Sequence, residues 1–177
     1  PDTATCVASI AVPDKDKIYY FVSGGDKNNA SGFTAIRKDY IVEYDTVLQK
    51  HRYVFVDIHR VTTTTEHATS SQQYITVDIG GTTRNITGIR IGMVVTGTID
   101  GITYDTSDGL RVSDIKYSAS GTTWQIFLEH PDGTAFSDDC AEDVAVEFHA
   151  DRVLNFSKGN IITGINVLDD FIYWTDN

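Results

Sequence analysis

Residues Ser9–Ser23 read SIAVPDKDKIYYFVS, and residues Gly164–Asp176 read GINVLDDFIYWTD. The two stretches match: Ile10 with Ile165, Val12 with Val167, Asp14 with Asp169, and Ile18 and Tyr19 with Ile172 and Tyr173. Each is an apolar run, a break containing Asp, and an aromatic run. β-Branched and aromatic residues suit strands, and Asp suits turns because its carboxylate bonds the backbone two residues on. Both copies therefore predict a strand, a turn and a second strand. Self-similarity marks architectures built by repetition, so the expectation is that the same two strands begin two successive blades.

Working outward from the first copy, Gly24–Gly32 (GGDKNNASG) is a polar loop, Asp39–Asp45 (DYIVEYD) a third strand and Arg52–Val61 (RYVFVDIHRV) a fourth. Side chains alternate across a strand. Val54, Val56, Ile58 and Arg60 thus share one face of the fourth strand, and Tyr53, Phe55, Asp57, His59 and Val61 share the other. Apolar residues on both faces predict a strand covered on both sides. Four antiparallel strands with short connections form a meander, the unit of a propeller blade.

The two copies lie too far apart for adjacent blades, which take roughly 40–50 residues each. Thr62–Gln73 (TTTTEHATSSQQ) is a polar, linker-like run. Strand signals then resume at Tyr74–Ile79, Ile89–Thr96, Gly101–Tyr104, Leu110–Tyr117, Thr123–Glu129 and Val144–Phe148, and Arg152–Phe156 (RVLNF) reads as a chain returning to the first sheet. The expected fold is all-β: partial propeller-like blades in residues 1–61 and 150–177, and a small β-sandwich or barrel in residues 62–149. A loop between strands tolerates such an insertion because its ends lie close together.

Two passages resemble known families. Gly92, Met93, Val95 and Gly97, followed by Ile115, Ile126 and Leu128, are similar to a degenerate β-module of phage structural and tail proteins. Asn160–Asn177 (NIITGINVLDDFIYWTDN) resembles a recurring segment of large phage virion proteins with propeller-like repeats, of the tail nozzle or muzzle type. These resemblances imply a structural ring or tube element of a virion, present in several copies among other virion proteins, with no catalytic residues to carry over. Tyr173, Trp174, Thr175 and Asp176 also look like the YWTD repeat of animal lipoprotein-receptor propellers, although the N-terminal copy reads YYFV at Tyr19–Val22. That likeness implies the alternative, a receptor- or glycan-binding adhesin module whose loops, such as Gly24–Gly32, recognise a host surface.

Composition narrows the partners. The 177 residues carry a net charge of −11, so the chain lacks the electrostatic attraction that dominates nonspecific binding to nucleic acid. No stretch reaches the ~18 apolar residues of a membrane helix. Neither sequence-specific nucleic-acid binding nor membrane insertion is expected; a homo-oligomer is. Cys6 and Cys140 are too few for a disulfide scaffold and read as unpaired thiols. The chain opens at Pro1 without Met, shows no signal peptide, and stops at Asn177 straight after a strand, which reads as a portion of something longer.

The chemistry-bearing residues suggest structure rather than catalysis. His51, His59, His67, His130 and His149 form no metal-binding array, and no nucleophile elbow or phosphate-binding loop is present. The carboxylate pairs Asp14/Asp16, Asp138/Asp139 and Asp169/Asp170 sit in turn-like contexts. His130, Asp132, Asp138, Asp139, Glu142 and Asp143 crowd one segment; they lack the spacing of a calcium loop, and a calcium site there is the alternative to turn carboxylates. Tyr19, Tyr20, Phe21, Tyr173 and Trp174 are read as packing residues, with a carbohydrate-stacking platform as the alternative, and Trp124 and Phe127 as core. Sequons occur at Asn29, Asn85 and Asn155. No catalytic, cofactor or metal site is expected.

Overall fold

A computed structural model of the chain describes residues 4–24, 27–28, 35–77, 88–107, 109–118, 123–169 and 171–175. They form strands joined by turns, with one short 3-10 turn: β1 (Thr5–Val12), the 3-10 turn (Pro13–Lys15), β2 (Lys17–Ser23), β3 (Lys27–Asn28), β4 (Ala35–Asp45), β5 (Lys50–Thr64), β6 (Tyr74–Val77), β7 (Val94–Ile99), β8 (Ile102–Tyr104), β9 (Leu110–Tyr117), β10 (Trp124–Glu129), β11 (Ala145–His149), β12 (Gly164–Leu168) and β13 (Phe171–Thr175). The chain is all-β. It divides into two compact units, one of Pro1–Asp26, Arg37–Ile58 and Arg152–Asn177, the other of Lys27–Ile36 and His59–Asp151. The long strand β5 contributes residues to both.

In the first unit the strands run in the order β1-β2-β4-β5, the expected meander. β1 pairs antiparallel with β2, with Ile10 opposite Tyr19, and β2 pairs antiparallel with β4, with Tyr19 opposite Glu43 and Phe21 opposite Ile41. A bulge between Cys6 and Ala8 interrupts the first ladder. Bulges re-aim side chains, and here both Val7 and Ala8 reach the core. That core comprises Val7, Tyr19, Phe21, Ile41, Leu154, Phe156 and Ile162. The separate hairpin β12–β13 packs Ile165, Val167, Ile172 and Trp174 against it. Trp174 meets Phe21 edge-on, with centroids 5.5 Å apart, and Phe156 at 6.3 Å.

Both copies of the internal repeat fold as hairpins, but they differ in register. The first turn spans Pro13 to Asp16, whereas the second lies between Leu168 and Phe171, which pair directly. A one-residue difference in register moves a side chain to the opposite face. Ile10 and Val12 face the core as their matches Ile165 and Val167 do, while Ile18, opposite Ala11, lies on the face away from Tyr19, and its match Ile172 points into the core. The likeness therefore holds strand by strand and not across each whole hairpin.

Arg152–Phe156 returns to the first unit without forming a strand. Two buried carboxylates hold it. Asp57 Oδ2 accepts the backbone N–H groups of Val153 at 2.7 Å and Leu154 at 3.0 Å. Asp39 Oδ2 accepts Arg152 Nη2 at 2.6 Å and the Phe156 N–H at 3.0 Å, and Arg152 also donates to the Phe156 carbonyl at 2.7 Å. An irregular segment needs partners for its backbone groups when buried, and charged acceptors meet that need more strongly than neutral ones.

In the second unit the order is β5-β11-β7-β9-β10-β6, with β8 on β7 and β3 on the first residues of β4. Thr65, just past β5, bridges to Val77 at the end of β6. Val61, Ile75, Val77, Met93, Val95, Ile99, Leu110, Val112, Ile126, Leu128, Phe136, Val146 and Phe148 are fully or nearly fully buried. Thr62–Thr64 belong to β5 rather than to a linker, because Thr62, Thr63 and Thr64 pair with Glu147, Val146 and Ala145. The strand expected over Ile89–Thr96 starts at Val94 instead. Gly92 takes φ +87°, and the Met93 N–H turns back to the Arg90 carbonyl. Gly97 sits where a Cβ would lie 2.7 Å from the Ala145 carbonyl oxygen, at φ +147°; only glycine fits there.

The expectation that both faces of Arg52–Val61 are covered fails for its first part. Lys50–Val56 are exposed, and burial begins at Asp57. Alternation assigned the faces; it carried no information about what lies over each.

Candidate interaction cleft

The first unit holds a cleft of roughly 570 Å³. Its floor comes from β4 and β5 through Ile41, Glu43, Arg52 and Val54, one wall from Val153 and Leu154, and the other from β13 through Phe171, Ile172 and Trp174. Glu43 is the electrostatic centre. Its side chain is 6% exposed and accepts Arg52 Nε at 2.8 Å, Arg52 Nη2 at 3.0 Å, Lys17 Nζ at 3.0 Å and the Tyr19 hydroxyl at 3.0 Å. The bidentate Arg52 contact, opposed by burial and helped by Lys17 and Tyr19, lowers the Glu43 pKa from 4.5 to about 2. Lys15 Nζ donates to the Asp169 carbonyl at one end. The lining thus combines apolar residues (Ile41, Val54, Leu154, Ile172), aromatic edges and a fixed carboxylate held by cations.

The aromatic residues singled out in the sequence separate. Tyr19 and Phe21 are buried and Trp174 is half-buried in the core, whereas Tyr173 is 54% exposed on the outer face of the hairpin beside Phe171, itself 67% exposed. The five do not share one face. Phe55 and Phe171 border the cleft instead; apolar alternation on Arg52–Val61 was the available signal for Phe55.

The carboxylates in turns have local work. Asp16 and Asp169 both take left-handed backbone, at φ 54°; Asp170 lies outside the described residues. Asp132 Oδ1 accepts the Thr134 N–H and hydroxyl at 2.9 and 2.7 Å. Asp138 accepts the Tyr104 hydroxyl at 2.8 Å; burial first, and this bond second, hold the Tyr104 pKa up at about 12. Asp139 Oδ1 accepts the Ser70 hydroxyl and the Ser71 N–H. Among the described residues, no three groups from 130–143 converge on one point. His149 hydrogen-bonds Thr96 and lies 3.3 Å from Glu147; burial lowers its pKa. His51 stacks edge-on to Tyr53.

Phe127 is not a core residue. Ile126 and Leu128 take the buried positions, and Phe127 packs on the other face with Tyr74 at 5.2 Å and under Lys116 at 4.2 Å. Trp124 is half-buried against Tyr117. Cys6 is exposed and Cys140 buried, both unpaired in disulfide terms. The loop Gly24–Gly32 lies largely outside the described residues, as do Asn29, Asn85 and Asp176; Asn155 is described, at φ 49°. Sequence reasoning missed Glu43, Arg52, Asp39, Asp57 and Arg152, whose partners lie on other strands or segments.

Comparison of the chain with family models, with curated proteins and with solved structures returns no match.

Proposed function

We propose that this chain is a non-enzymatic structural component of a larger assembly, and that the assembly is the virion of a tailed bacteriophage, in its tail or nozzle region. The observation that carries the reading is the hairpin β12–β13. A two-stranded sheet is marginal alone, yet this one turns Leu168, Phe171 and Tyr173 outward. Together with the exposed Tyr53, Val54, Phe55 and Val56 on β5, this is apolar surface of the kind that protein partners cover. In this reading the first unit is one propeller-like blade and the start of another, and residues 62–149 are a small inserted β-sandwich or barrel domain; the Thr65–Val77 bridge, joining the two ends of its strand order, supports the barrel form. The partners are other virion proteins and further copies of this chain. The phage assignment itself rests on the sequence resemblances of Gly92–Leu128 and Asn160–Asn177. No described helix is long and apolar enough to cross a membrane, and none is needed for this role.

The test is to image the assembled particle from the native source with peptide mapping of the protein. Density for this chain within the tail supports the reading; recovery of the chain only outside particles refutes it.

The cleft favours a second reading, a receptor- or glycan-binding module. Exposed Phe55 and Phe171 lie beside Arg52 and Glu43, and a sugar uses both ring faces and charged hydrogen-bonding groups. Saturable binding on a glycan array, abolished by Phe171→Ala, would favour this reading over assembly.

A further inference from the structure

Asp39 and Asp57 are 0% and 2% exposed. Burying a carboxylate is costly unless it is paired and hydrogen-bonded. One oxygen of each is well served. Asp39 Oδ2 accepts Arg152 and the Phe156 N–H, and Asp57 Oδ2 accepts the Val153 and Leu154 N–H groups. Asp39 Oδ1 is different: it is buried and has no hydrogen-bond partner among the described residues. Among those residues, Arg152 is the one cation bonded to either carboxylate, and its side chain is 36% exposed. Two buried negative charges thus face one partly exposed positive charge.

His59 follows Asp57 by two positions on the continuous strand β5, so the two side chains leave the same face of that strand. One oxygen of Asp39, one of Asp57 and one ring nitrogen of His59 lie within 4.8 Å of one another. Since Asp39 Oδ2 already accepts two bonds, Oδ1 is the oxygen that Asp39 has to offer. Ligands of a tetrahedral zinc ion stand about 3.4 Å apart at bond lengths of about 2.1 Å. Side-chain movement of about 1 Å therefore closes the three groups on one ion. The donor types select the ion. Calcium asks for about six to eight oxygens, whereas imidazole with carboxylate suits zinc and its first-row neighbours. The backbone N–H bonds to the Oδ2 atoms are outer contacts of the sort that fix ligating carboxylates.

We propose that Asp39, Asp57 and His59 form a binding site for a divalent transition-metal ion, of which zinc is the type. The ion gives Asp39 Oδ1 a partner, balances the second carboxylate charge and ties β4 to β5. Through those carboxylates it steadies the segment Arg152–Phe156. This goes beyond the assembly reading above and does not depend on it.

The test uses the full chain, stripped with a chelator, exchanged into chelator-free buffer near neutral pH and titrated with Zn2+ alone. The expected result is saturable binding of one ion per chain with a Kd below about 10 µM, a melting temperature that rises with zinc, and amide exchange at Val153 and Leu154 slowed at least about tenfold. His59→Gln and Asp39→Asn should each weaken binding at least about tenfold, with folding checked by circular dichroism. His51 and His67 are exposed, and the double variant His51→Ala/His67→Ala should bind as the parent does. Where a ligand variant does not fold, the exchange measured on the parent chain decides. No saturable binding to the parent overturns the proposal, as does binding that leaves exchange at Val153 and Leu154 unchanged. Binding that survives in folded His59→Gln or Asp39→Asn, or that is lost in the double variant, also overturns it, because the ion then sits elsewhere.

Discussion

Glu43→Gln has a measurable consequence in acid. The Glu43 carboxylate has a folded pKa of about 2 against an ordinary 4.5. Its folded form therefore holds fewer protons than its unfolded form between those values, and stability falls as pH falls. The contribution is fully present above about pH 5 and is lost progressively as pH drops toward 2. A difference of about 2.5 units at about 1.4 kcal/mol per unit gives about 3.5 kcal/mol in all, of which about 3 kcal/mol is lost by pH 2. Arg52 is 70% exposed, and solvent screening of that partner makes this an upper figure. The assay is urea unfolding at a series of pH values between 6 and 2, followed by Trp174 emission with Trp124 replaced by Phe, so that the signal reports the first unit. The parent chain should lose stability toward pH 2 by up to about 3 kcal/mol more than the Gln variant, whose side chain does not titrate. Parallel stability curves for the two chains would refute the argument that Arg52, Lys17 and Tyr19 hold this carboxylate ionised.

Four further outcomes follow from the packing. Arg152→Ala should destabilise the first unit by about 3–5 kcal/mol, because it strands the buried Asp39 carboxylate; a loss under 1 kcal/mol in the same urea assay would mean that solvent reaches Asp39. Asp57→Asn should cost about 1.5–3 kcal/mol by weakening a charged acceptor, with faster amide exchange at Val153 and Leu154. Gly97→Ala should destabilise the second unit by about 1–3 kcal/mol through its approach to Ala145, read from Trp124 emission with Trp174 replaced. Cys6 should react with a thiol reagent in the folded chain, while Cys140 should react only on unfolding, since it is buried and burial raises its thiol pKa; mass spectrometry after timed labelling separates the two.

Much of the secondary structure was legible because strand signals are local. Lys17–Ser23 and Leu110–Tyr117 have the bounds that alternation and turn residues indicate. β4, β5, β10 and β11 differ from their expected bounds only at the ends. Gly92 misled because an apolar run looks like a strand until one residue takes left-handed backbone. The four threonines from Thr62 misled because a polar run looks like a linker until a partner strand is present to pair with it.

The cleft was not legible, and the reason is physical. Its central contacts join β2 to β4 and β5, and Asp39 and Asp57 bind residues about a hundred positions further along the chain. Composition carries no record of which distant backbone N–H a carboxylate will meet. By itself, the sequence determined the all-β class, the existence of most strands, the two related hairpins and the acidic balance, because period, turn chemistry and charge are properties of neighbouring residues. Tertiary structure alone decided which face of each hairpin is buried, since a one-residue difference in turn register reverses it. It also decided that the exposed part of β5 and the open side of β13 border one cleft, because that depends on strands brought together from opposite ends of the chain.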